Sequence, residues 1–75
     1  MRGGSNVSKE LEFFLFLIEN YADYKDKSTG EILREWDEHN ITQEIYDGYP
    51  IYHQEALTNA YMDIDQLITT GEHAY

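Results

Sequence analysis

Val7, Leu11, Phe14, Leu15, Ile18 and Tyr21 recur at intervals of three and four residues. A helix gathers that spacing onto one face, whereas a strand scatters it over both. Ser8 stands where an N-cap is needed, and Glu10 and Glu12 follow where carboxylates favour a helix N-terminus. Phe13, Phe16 and Leu17 fall off the stripe, so this first helix is apolar over more than half its circumference. Two arrangements satisfy that: a helix at the centre of a bundle, or one whose second face meets another copy of the chain through Phe13, Phe16 and Leu17.

The rest of the chain carries the punctuation of further helices. Tyr24-Lys25-Asp26-Lys27 reads as a polar connector. Ser28 with Glu31 matches a capping box and opens a second helix that carries Ile32, Leu33 and Trp36 inward. Asn40, tolerant of left-handed backbone, marks its end. Thr42 and Glu44 begin a third helix bearing Ile45, Tyr46 and Tyr49. Gly48 and Pro50 disturb it, and a break or kink is expected near Tyr49. Leu57, Ala60, Tyr61, Ile64, Leu67 and Ile68 form the stripe of a last helix, which runs from about Ile51 or later to Thr70 and stops at Gly71. The Thr58-Asn59 pair is a point where it can divide. The expected fold is all-α, a compact bundle of three to five short helices with the first at its centre. Residues 1–7 are expected to be a flexible leader or an expression remnant, and 8–75 a single helical domain.

Such a bundle must hold together on packing alone. The chain has 75 residues and no cysteine, so neither a disulfide nor a thiolate zinc site contributes. Three Phe, seven Tyr and one Trp supply the large apolar areas that a core of this size requires. The longest apolar run, Phe13 to Ile18, is six residues, against roughly 20 for a bilayer span. No signal-peptide pattern opens the chain. These features predict a cytoplasmic protein that does not enter membranes.

Charge is distributed unevenly. Residues 1–34 hold six acidic and five basic side chains; residues 35–75 hold nine acidic ones and no Lys or Arg. An acidic half of this kind repels nucleic acid and anionic membrane and attracts a basic surface. It serves equally well as a solvated surface that keeps a protein soluble.

Catalytic and metal-binding patterns are missing from the sequence. His39, His53 and His73 have no recognised ligand spacing. Asp63 and Asp65 are two residues apart, about 200° of helical rotation, so they do not form a pair and read as solvated flanks of Ile64. None of Ser28, Thr29, Thr42, Thr58, Thr69 and Thr70 sits in a nucleophile elbow, and there is no phosphate-cradling loop. The expectation is a non-enzyme without cofactor or metal. Tyr46, Tyr49 and Tyr52 repeat every three residues beside His53, either as core tyrosines or as an exposed aromatic set. With Asp47 and Glu55 they suit an arginine, by ion pairing and cation–π contact. The expected partner contacts are Asp47, Tyr49, Tyr52, Glu55, Asp63 and Asp65.

Lys9-Glu10-Leu11-Glu12-Phe13-Phe14, the Tyr52-His53 pair and the closing Asp63-Ile64-Asp65 together resemble a family of short bacterial proteins of unknown function. Its members share a K-E-L-E-F-F start, a Tyr/His-containing middle and a terminal D-I-D. The resemblance spans residues 8–70, with Gly48 and Pro50 as departures from it. It implies genes that lie beside ADP-ribosyltransferase-like toxins, and hence an antitoxin or accessory role, with no catalytic residues to carry over. The leading expectation is therefore a non-catalytic acidic module that binds a basic protein, such as a toxin. The alternatives are an acidic nucleic-acid mimic that inhibits a DNA- or RNA-binding protein, and a homo-oligomeric structural module.

Overall fold

The computed structural model describes residues 8–71, which form five helices and, among those residues, no strand. In chain order they are α1 (Lys9–Lys25), α2 (Thr29–Glu38), α3 (Thr42–Asp47), α4 (Tyr49–Tyr52) and α5 (Leu57–Thr70). The expected leader, Val7 and His73 lie outside the described residues.

The helix boundaries follow from local chemistry. Ser8 caps α1, its hydroxyl accepting from the Leu11 N–H at 3.1 Å. The capping box on α2 is complete: Ser28 Oγ accepts from the Glu31 N–H, and the Glu31 carboxylate accepts from the Ser28 N–H. That second bond, foremost, holds the Glu31 carboxyl below its usual range. Asp26 and Asn40 end α1 and α2 in left-handed backbone, at φ 57° and 58°, residue types that tolerate it. In each case the next residue's N–H reaches back five positions, Lys27 to Ala22 and Ile41 to Trp36, and so satisfies a carbonyl of the last turn. Gly71 closes α5 at φ 79°.

One boundary differs from the sequence reading, and two that it placed loosely are sharpened. Tyr24 and Lys25 belong to α1, and the connector is shorter by those two residues. The break near Tyr49 falls one residue earlier, at Gly48, and Pro50 lies in the first turn of α4, where its missing N–H has no helical partner. Ile51 to Ala56 is not part of the last helix; Thr58 and Asn59 sit in the first turn of α5 and do not divide it.

α1 is central. It packs on α2, α3 and α4 and meets α5 through the Tyr21–Tyr61 and Tyr24–Tyr61 ring contacts. Its buried residues are Leu17, Ile18, Tyr21 and Ala22, with Phe13 and Phe14 packed against them. The core face is thus turned relative to the expected stripe, because partners flank α1 on two sides. Leu17 goes inside, while Leu11 and Leu15 stay exposed. This corrects the proposed dimer surface: Leu17 is core, Phe13 packs edge-on to Tyr49 at 5.7 Å, and only Phe16 of the three is exposed, at 51%. Trp36 lies between the rings of Phe14 and Tyr21, at 5.8 and 5.6 Å. Ile32, Ile41, Ile45, Tyr52, Ile64 and Leu67 are interior as well, the aliphatic ones each contributing on the order of 1.5–3 kcal/mol through burial. The α5 stripe is as read, with Ala60, Tyr61, Ile64 and Leu67 buried and Leu57 and Ile68 packed beside them.

Candidate protein-binding surface

The six residues expected to contact a partner divide into four groups. Tyr52 and Asp63 are interior, at 0% and 3% exposure, and the Tyr52 hydroxyl donates to the Asp63 carboxylate. They are corrected from surface contacts to a core pair. Asp63 is not a solvated flank of Ile64: α5 turns it toward α4, where Tyr52 supplies the donor that a buried carboxylate requires. Gly48 makes room for this. A Cβ at that position would come within 2.5 Å of the Tyr52 ring, so the glycine that breaks α3 from α4 also admits the aromatic side chain.

Asp65 lies on the other side of α5, as its spacing from Asp63 requires. It accepts from the Tyr21 hydroxyl at 2.6 Å and from Lys25 Nζ at 3.1 Å. The same ammonium lies 5.5 and 5.3 Å from the ring centres of Tyr21 and Tyr24. One carboxylate and two tyrosines thus hold a cation between α1 and α5. Burial, followed by the bond to Asp65, pushes the Tyr21 phenol well above its usual range. Tyr61, beside Tyr24, is also raised, first by burial and then by Asp23.

Asp47 and Tyr49 come together at an open hollow of about 410 Å³, lined by Ser8, Glu10, Tyr46, Asp47, Tyr49 and Pro50. It lies where the start of α1 meets the α3–α4 corner. Its walls are held in place from behind. Tyr46 leans on Phe14 at 5.7 Å, with its hydroxyl 3.5 Å from Ser8 Oγ. Tyr49 packs against Phe13 and stacks on His53 with ring centres 4.3 Å apart and planes within 7°. The Asp47 carboxylate accepts from Gln43 Nε2 at 2.9 Å, a neutral donor that leaves its charge intact. Glu55 is exposed in the α4–α5 bend and does not line the hollow. Another hollow of similar size, at the α2–α3 turn, is lined by Asp37, Asn40, Thr42 and Gln43 and has no aromatic wall.

The sequence reading did not assign Ser8, Glu10 or Pro50 to this surface. Ser8 and Glu10 stand 36 or more positions from Tyr46 and were legible only as helix-cap chemistry. Tyr46 was legible as part of the tyrosine triplet, which the turn at Gly48 divides into two wall residues and one core residue.

Among the described residues, no three His, Cys, Asp or Glu side chains converge as a metal site, and no helix is long and apolar enough to cross a membrane. A family model described as a protein of unknown function (DUF3791) matches residues 12–70. The match includes Tyr52-His53 and Asp63-Ile64-Asp65 and starts within the K-E-L-E-F-F segment. No curated protein and no solved structure matches the chain.

Proposed function

The chain belongs to the DUF3791 family, whose function is unknown, and from that premise we propose that it is a non-catalytic acidic module that binds a basic protein in the bacterial cytoplasm. The partner is a toxin that the module neutralises, in keeping with the gene neighbourhood that the resemblance implies. What carries the reading is how unevenly the fold compensates its acid. Lys25 and Lys27 reach across to Asp65 and Glu35, and those two carboxylates are neutralised within the chain. Among the described residues, Asp37 and Asp47 receive only neutral donors, the Thr42 hydroxyl and the Gln43 amide. They keep their charge at the surface, where a basic partner relieves the self-repulsion of a chain with net charge −10. This pattern favours a local docking point over a nucleic-acid mimic, because Lys25 and Lys27 take up two of the carboxylates that a mimic needs free.

The test is capture of the partner by the immobilised chain, followed by association kinetics of the purified pair in rising NaCl. The expected partner is basic, and its association rate falls about tenfold or more between low and physiological ionic strength. A captured partner whose association ignores salt would show that the acid only keeps the protein soluble.

A further inference from the structure

At both ends of α1 exposed or half-exposed carboxylates meet tyrosines, and at one of them the chain's own Lys25 already supplies a cation. Between α1 and α5, Lys25 Nζ is held by Asp65 and lies over the rings of Tyr21 and Tyr24. The hollow at the other end of α1 has the same ingredients, two tyrosines and two carboxylates, and no Lys or Arg among the described residues lines it. From this internal parallel we infer that the hollow of Glu10, Tyr46, Asp47 and Tyr49 is a socket for an arginine side chain of the basic partner.

The inference rests on the protein-binding reading above and specifies its point of contact. Arginine fits better than lysine for three reasons. Its planar guanidinium can lie against an aromatic wall while its edge donates to a carboxylate. The hollow offers carboxylates from two elements, Glu10 of α1 and Asp47 of α3, which suits a forked donor more than a point charge. The shallow opening leaves a strongly hydrated ammonium little reason to give up its water, whereas a guanidinium is weakly hydrated.

The two carboxylates are not equivalent. Glu10 sits in the first turn of α1, where the helix N-terminus already favours a negative charge. Asp47 closes α3, an end that favours a cation. Asp47 therefore carries more of the attraction.

The experiment titrates the full chain with three capped tripeptides, Gly-Arg-Gly, Gly-Lys-Gly and Gly-citrulline-Gly, and follows the ring protons of Tyr46 and Tyr49 by NMR. The arginine peptide is expected to give saturable shifts at both rings, the lysine peptide a response several-fold weaker, and the uncharged citrulline peptide none. Asp47→Asn should weaken arginine binding roughly tenfold, and Glu10→Gln less. Neither position is buried, so both variants should fold, which the unchanged dispersion of core Tyr52 and Trp36 signals verifies. Equal responses to arginine and citrulline, equal responses to arginine and lysine, or shifts that Asp47→Asn leaves intact would each overturn the socket. Failure of the broader reading looks different. If the arginine peptide binds as expected and no basic protein is captured by the wild type, the socket stands and the module reading falls. If a basic protein is captured equally well by wild type and Asp47→Asn, the module reading stands and the socket is overturned.

Discussion

The α1–α5 seam and the α1–α3/α4 hollow are built from the same residue types and end in opposite electrostatic states. In the seam, Tyr21, Tyr24 and Asp65 surround Lys25. In the hollow, Tyr46, Tyr49, Glu10 and Asp47 face solvent. The helix that joins them accounts for the difference. α1 carries acid in its first turn and Lys25 in its last, the arrangement its dipole favours. One end of α1 therefore brings a cation to its tyrosines and the other brings a second carboxylate. Chemically similar aromatic clusters thus become an internal clasp at one end and an outward-facing acidic hollow at the other.

Substitutions of tyrosine or acid should lose effect steadily from the interior to the hollow. The largest loss is expected from Tyr52→Ala, which removes a fully buried ring and takes the hydroxyl from Asp63. Replacing a buried aromatic by alanine costs about 3–5 kcal/mol, which urea denaturation would measure. A loss under about 1 kcal/mol would mean that Tyr52 is not core, and the division of the tyrosine triplet would fail. Tyr21→Phe should be intermediate, near 1.5 kcal/mol for a hydrogen bond to a charged acceptor.

Tyr21→Phe also carries a pH signature. The folded phenol titrates above its unfolded value of about 10, because burial and Asp65 oppose the phenolate. The stability it contributes is therefore complete below about pH 10 and is lost as pH rises through the folded pKa. Stability curves of wild type and Tyr21→Phe should run parallel from neutral pH to about 9 and converge above 10. Curves that stay parallel through that range would show that the phenol is not sealed in the seam. The smallest effect is expected at the hollow, where Asp47→Asn and Glu10→Gln should each change stability by no more than about 0.5 kcal/mol. A larger loss at either position would make the hollow part of the scaffold, like the seam.

The legibility of this protein in its sequence divides along similar lines. Helix starts and stops were readable wherever a single residue type has local chemistry of its own: Ser8, the Ser28/Glu31 box, Asn40 and Gly71. The α5 stripe was readable because one face of that helix is buried and the other is not. The α1 stripe was misplaced because α1 has neighbours on two sides, and a wide buried arc leaves periodicity a weak guide to which residues are most interior. Tyr52 and Asp63 were misread for a different reason. Each is polar at its tip, and polarity signals exposure until a partner eleven positions away satisfies it.

The sequence by itself determined that this chain is helical, acidic and held together by aromatic side chains without covalent staples, because periodicity, capping and composition act locally or add up over the chain. Only the tertiary structure decided which acids keep their charge at the surface. That choice depends on contacts across the bundle: Lys25 reaching Asp65, Tyr52 reaching Asp63, and the start of α1 brought beside Asp47. A carboxylate's fate is set by the donor or cation that folding places within about 3 Å of it, and residues that distant in sequence carry no local sign of meeting.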